Sequence, residues 1–303
     1  ALNAAGLVAN DDTEALALSR DGRFVLVRSR ASNLRPTESS TAWRPYLIDL
    51  DADGDLVFGE SGDRTIERLP GTVDGTQRTY GGDISPDGRY VTYSVAGATT
   101  AVCRQLVRYD RQSFSTTSVS VSSAGVEGSG VCTGTGYGVY AAAISANGNV
   151  VAFDSQYNSL VAGDVDNGND IFVRDVVAGV TTMIPCTTGQ ECWLVELSDT
   201  GDRVLYGVGP TNAPTLRVYD RTAGVSTLLG SVRQSNQYNF RGFSLYAAMS
   251  ADGQSVVWGR TTSSSMQMWR DGVSANIIGW SSVAAHLALN VSGTKVAYNI
   301  GAG

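Results

Sequence analysis

This chain has almost no lysine or histidine: Lys295 and His286 are the only ones among its 303 residues. Its arginines are scattered along the sequence, and its formal charge is −7. Nucleic-acid binding requires a basic face that neutralises phosphates, so this balance excludes nucleic acid as a partner. A Ser–His–Asp triad would have to use His286, and no G-x-S-x-G nucleophile elbow is present to accompany it. Metal chemistry built on histidine clusters fails for the same reason. The four cysteines, Cys103, Cys132, Cys186 and Cys192, show no C-x-x-C spacing, which argues against zinc. Nowhere does an apolar run reach the 18 residues of a spanning helix. The start at Ala1, without a charged-then-apolar leader, is read as a mature exported form or a trimmed piece.

Glycine is abundant, and six of the glycines mark a repeat. Ser85-Pro86-Asp87-Gly88-Arg89-Tyr90-Val91 recurs as Ser19-Arg20-Asp21-Gly22-Arg23-Phe24-Val25 and as Ser145-Ala146-Asn147-Gly148-Asn149-Val150-Val151. Later copies are Ser198-Asp199-Thr200-Gly201, Ser250-Ala251-Asp252-Gly253 and Asn290-Val291-Ser292-Gly293. The glycines lie 66, 60, 53, 52 and 40 residues apart, the spacing of small repeated β-sheets. Each copy follows an apolar residue and precedes alternating β-formers. Asp or Asn bonds its own main chain and Gly supplies positive φ, so each copy reads as a hairpin. A second signature closes a later run: Tyr109-Asp110, Arg174-Asp175, Tyr219-Asp220 and Arg270-Asp271. Together they spell four antiparallel strands per repeat, the content of one propeller blade.

The Ser-Pro-Asp-Gly-like hairpin with a later aromatic-x-Asp resembles the TolB-type, WD-repeat-like β-propeller repeat, from about Glu14 to Ile300. The resemblance implies an all-β fold: a single six-bladed β-propeller of four-stranded antiparallel blades, residues 1–303 forming one domain. The last repeat has room for two strands only, so Gly6-Leu7-Val8-Ala9 is expected to help close that blade. For function the resemblance implies little, because the repeat serves translocation scaffolds, lectin-like modules, peptidase propellers and lyases alike.

In the blade pattern Cys103 and Cys132 fall in links that open on one face, and Cys186 and Cys192 share a single link. Cys103–Cys132 and Cys186–Cys192 disulfides are therefore expected, with a secreted or periplasmic location. Loop entropy assigns them roughly 3–4 and 2–3 kcal/mol.

Two acidic loops have calcium-like spacing. Asp49-Leu-Asp51-Ala-Asp53-Gly54, with Glu60 at the twelfth position, matches an EF-hand loop. Asp49 also aligns with Asp110, Asp175, Asp220 and Asp271, and no helical pattern flanks it, so a plain Asp-Gly turn is the favoured reading there. In the third repeat Asp164, Asp166, Asn167 and Asp170 offer oxygens for calcium, and a solvated Asx-turn loop is the alternative.

Ligand-binding residues are expected where equivalent positions gather around the channel. Tyr80, Tyr140 and Trp193 share one position before the turn, with Tyr246 and His286 one residue further on. Such rings could stack on sugars or grip peptide side chains, or could wedge between blades and seal the core. Asp83 and Glu196 share a position nearer the middle of the innermost strands. The reading that follows is a non-catalytic, monomeric, exported scaffold that binds a protein or a glycan. The alternative is a glycosidase or lyase using the two channel carboxylates.

Overall fold

The computed structural model describes residues 6–35, 43–60, 62–71, 81–95, 104–130, 138–186, 189–210, 213–232, 234–239, 242–259, 265–270, 272–279 and 284–300. Every regular element among them is a β-strand. The first sheet is β1 (Thr13–Leu18), β2 (Phe24–Ser29), β3 (Arg44–Asp49) and β4 (Thr65–Arg68), adjacent in that order. The second is β5 (Gly82–Ile84), β6 (Tyr90–Val95), β7 (Gln105–Asp110) and β8 (Ser115–Ser118). The third is β9 (Val139–Ile144), β10 (Val150–Ser155), β11 (Asp170–Asp175) and β12 (Val180–Met183). The fourth is β13 (Glu191–Leu197), β14 (Arg203–Gly209), β15 (Thr215–Asp220) and β16 (Val225–Ser231). A hairpin, β17 (Gln234–Asn239) and β18 (Gly242–Leu245), precedes the fifth sheet. That sheet is β19 (Ala247–Met249), β20 (Ser255–Gly259), β21 (Ser265–Arg270) and β22 (Val273–Gly279), and β23 (Ala284–Leu289) with β24 (Val296–Ile300) forms a pair at the end.

The repeated turn is built the same way throughout. In the second sheet the Ser85 hydroxyl donates to Asp87 at 2.6 Å and accepts the Tyr90 N–H at 2.9 Å. The Gly88 N–H closes onto the Ser85 carbonyl at 2.8 Å. Equivalent bonds organise Ser19, Ser145, Ser198 and Ser250, and Asn290 substitutes its side-chain amide in the last copy. The six turn glycines have φ between 64° and 81°. Five of them also back onto the preceding sheet so closely that a Cβ would meet Phe24, Tyr90, Val150, Arg203 or Ser255. Glycine is therefore required twice over at these turns, by backbone and by space.

The core lies between consecutive sheets. Along β10, Val150 and Ala152 pack toward the fourth sheet with Leu194, Val204 and Tyr206. Val151 and Phe153 face the other way, toward Leu106 of the second sheet and Val119 just after β8. Both faces of the strand are buried, so its sequence is nearly continuous in apolar residues instead of alternating with polar ones. Full burial of one such side chain, Phe153, contributes about 2–3 kcal/mol. Leu16, Leu26, Tyr93 and Val107 join the first two sheets, and Leu205, Val218, Met249 and Trp258 join the fourth and fifth.

The innermost strands β1, β5, β9, β13, β19 and β23 stand side by side in that order. Main-chain bonds at their turns continue the series, from the Ala146 N–H to the Asp199 carbonyl, from Asp199 to Ala251 and from Ala251 to Val291. The far face of the first sheet, with Val27, Tyr46 and Ile48, is covered by Ala31, Leu34 and Ala9. There Asn33 donates to the Val8 carbonyl at 2.8 Å, and the Ser32 N–H donates to Asn10 at 3.0 Å. The described part of the N-terminal segment thus lies on the first sheet. Among the described residues β23–β24 remains a two-stranded pair.

Candidate functional site

The last residues of the innermost strands enclose an axial cavity of about 380 Å³. Arg20 of the first turn and Asp199 of the fourth meet there, with Arg20 Nη2 donating to Asp199 Oδ1 at 2.6 Å and a second bond beside it. Both residues follow the turn Ser, and their turns lie three repeats apart. The ion pair therefore links turns 1 and 4 of the series. The bond to Asp199 holds the Arg20 guanidinium above its ordinary pKa, and the charges of Glu196 and Asp83 add to the effect. The signal was present in the sequence: the residues after the turn Ser are Arg20, Pro86, Ala146, Asp199, Ala251 and Val291, with one charge of each sign.

Asp83 and Glu196 both line this cavity, so the structure brings the expected carboxylates together. Each is also bonded to the neighbouring sheet. Asp83 Oδ2 accepts the Ile144 N–H at 3.0 Å, and Glu196 Oε2 accepts the Met249 N–H at 2.7 Å. Ile144 and Met249 hold the same place before their turns, so one latch is used twice. A third carboxylate, Asp154, works from the second strand of its sheet. It is buried and accepts from Ala141 at 2.6 Å and Leu194 at 3.1 Å. Burial pushes its carboxyl up to about 7, against the opposing effect of those N–H bonds.

The aromatic positions take different surroundings. Trp193 is buried against Gly207, and half-buried Tyr140 donates its hydroxyl to Gln156 at 3.0 Å. Tyr246 is half-buried just before β19. None of these three contributes to the axial cavity, which is lined by small apolar and charged side chains. His286 lies on β23 opposite Asn299, and Tyr80 lies outside the described residues.

Cys186 and Cys192 form the expected disulfide, with Cys192 wholly buried in β13. Cys103 and Cys132 lie outside the described residues.

Of the acidic loop before β11, Asp164, Asp166 and Asp170 converge, with oxygens within 4.8 Å of one another. The Asn167 side-chain oxygen accepts from Asn158 at 2.9 Å. Burial, followed by the charges of Asp164, Asp166 and Glu191, pushes Asp170 up to about 7. Burial also raises Asp164. In the first acidic loop the register differs from the EF-hand match. Asp49 is held by Arg23 through two bonds of 2.8 and 2.9 Å, and Asp51, Asp53, Asp55 and Asp63 are the carboxylates that cluster. The same arginine latch joins Arg89 to Asp110 and Arg203 to Asp220, so Asp49 follows the blade pattern.

Beside this latch the first two sheets leave a cleft of about 520 Å³, bordered by Arg23, Asp49, Glu67, Arg89, Arg111 and Phe114. Phe114 is 77% exposed on a left-handed backbone with φ of 54°. The loop after β3 exposes Leu56, Val57 and Phe58, with the Phe58 ring beside Gly22 of the first turn, and Leu56 also has positive φ, at 70°. Sequence reading passed over Phe114 because it is an isolated apolar position in a turn, and over Leu56-Val57-Phe58 because they fall inside the acidic loop.

No family model and no curated protein matches the sequence. Solved structures do. The β-propeller domain of the Trilobed protease from Pyrococcus furiosus is similar with a TM-score of 0.57 at 9% identity, over 97% of this chain and 80% of that one. KlAtg21, solved in complex with the coiled coil of AgAtg16, gives 0.56 at 11% identity over 97% and 78%. TolB from Acinetobacter baumannii gives 0.51 at 16% identity over 86% of this chain, which spans only 53% of the TolB chain. At such identities the likeness concerns fold. The chain is an all-β protein with a TolB-like β-propeller fold.

Proposed function

We propose that this protein is a non-catalytic, exported scaffold, a six-bladed propeller that binds a protein partner at the cleft between its first two blades. The observation that carries this reading is the exposure of Phe114 at an ion-pair-lined cleft, with Leu56, Val57 and Phe58 exposed on the loop whose Phe58 packs at the neighbouring Gly22 turn. Exposed apolar groups rimmed by charge, two of them on strained backbone, are features that recur at interaction sites. The axial cavity supports the non-catalytic part of the reading. Its carboxylates Asp83 and Glu196 tie neighbouring blades, and Arg20 and Asp199 neutralise each other. The fold serves a protein-binding role in KlAtg21, whose structure contains a bound coiled coil. The Cys186–Cys192 disulfide agrees with an oxidising compartment.

The test is crosslinking in the native compartment followed by reconstitution with the purified partner, comparing the wild type with Phe114→Asp and Leu56→Asp. A partner that binds the wild type directly and is lost with both folded variants supports the proposal. A partner retained by both variants, or glycan turnover abolished by Glu196→Gln, overturns it.

A further inference from the structure

We infer that the loop between β3 and β4 is a calcium site, with Asp51, Asp53, Asp55 and Asp63 as its carboxylate ligands. This stands apart from the partner reading and does not depend on it. Oxygens of the four carboxylates lie within 4.8 Å of one another. Carboxylate oxygens this close together can share one cation, and calcium accepts such an all-oxygen set at about 2.3–2.6 Å in flexible geometry. Nitrogen and sulfur are missing from the cluster, so its chemistry is that of a hard cation.

Convergence of acids alone would not make a site; the burial of two of them does. Asp51 is fully buried and Asp63 is 8% exposed, yet Oδ2 of each has no hydrogen-bond partner. Their other oxygens hold the loop together. Asp51 Oδ1 accepts the Leu56 N–H at 3.3 Å, and Asp63 Oδ1 accepts the Asp53 N–H at 2.8 Å. Asp53 and Asp55 likewise use one oxygen each on the N–H two residues ahead. Each carboxylate thus fixes the loop with one oxygen, and for the two buried ones the second oxygen is left without a donor.

A buried carboxylate oxygen without a donor is strongly disfavoured, and a second one within the same cluster adds repulsion. The nearby guanidinium groups are engaged elsewhere, Arg23 on Asp49 and Arg64 on the Gly59 carbonyl. A bound divalent cation satisfies both orphaned oxygens at once. The alternation of Asp51, Asp53 and Asp55 also places the Val57 main chain at the seventh loop position, where calcium loops supply a carbonyl. Calcium would then set the loop that carries Leu56, Val57 and Phe58.

The test is calorimetric titration of calcium, and separately magnesium, into the chelator-stripped full chain, with melting temperature followed in parallel. The comparison set is the wild type, Asp51→Asn, Asp63→Asn, Asp55→Asn and, as a control for the other acidic loop, Asp166→Asn. The expected result is calcium binding that each first-loop variant weakens by more than about tenfold and Asp166→Asn leaves in place. Without calcium, Asp51→Asn should melt no lower than the wild type, because it removes repulsion. Should that variant fail to fold, exposed Asp55→Asn gives the same reading. No calcium binding by the wild type, or binding undiminished in Asp51→Asn or Asp55→Asn, would overturn the inference.

Discussion

Replacing Gly148 with alanine tests the physical basis of the repeat directly. Gly148 has φ of 69°, and a Cβ there would lie 2.3 Å from Cδ2 and 2.4 Å from Cγ of Tyr90 in the preceding blade. Gly224 has nearly the same φ, 68°, with nothing within 4 Å of its Cβ position. Both variants bear the left-handed backbone cost of about 1–2 kcal/mol. Only Gly148→Ala adds overpacking, worth about 1–3 kcal/mol more. Tyr90 cannot swing aside cheaply. The clash reaches its Cγ, and the guanidinium carbons of Arg89 and Arg108 sit 4.6 and 4.9 Å from its ring centroid. Urea unfolding of both variants therefore reads blade-to-blade contact as a difference of about 1–3 kcal/mol. In a Tyr90→Ala background, adding Gly148→Ala should cost only what Gly224→Ala costs. Equal losses at Gly148 and Gly224 in the wild-type background would refute the argument that the turns back onto their neighbours.

Two further outcomes follow from the core. The Cys186–Cys192 loop is short, with a separation of 6 residues, so reduction should lower unfolding free energy by about 2 kcal/mol. Urea curves with and without reductant measure it. Asp154 gives a pH signature, because its folded pKa of about 7 lies above the ordinary carboxylate value of 3.8. A raised pKa means its contribution is fully present below about pH 4 and is lost as pH rises toward 7. Asp154→Asn should therefore gain on the wild type between pH 4 and 8, by roughly 3–4 kcal/mol. A gap between the two that does not change with pH would contradict burial as the cause.

The sequence by itself determined the repeat. Ser, Asp or Asn, and Gly at fixed offsets encode a turn through bonds that reach no further than five residues, as Ser85, Asp87 and Tyr90 show. Asp83 and Glu196 were legible as cavity residues because equivalent repeat positions occupy equivalent places. The Cys186–Cys192 pair was legible because the cysteines are only 6 residues apart between two strand runs. What a residue bonds to in the next blade was not legible. Neither the Arg20–Asp199 pair, the backbone latches of Asp83 and Glu196, nor the withdrawal of Asp49 into Arg23 can be read from spacing. These depend on how separate sheets stack and where their turns converge. The acidic loop shows the division most clearly. Its spacing matched a calcium loop and alignment with the other repeats already gave Asp49 to the blade turn, but only packing decided that Asp51 and Asp63 are buried without donors. Local hydrogen bonding is written residue by residue, whereas burial is a property of the assembled sheets.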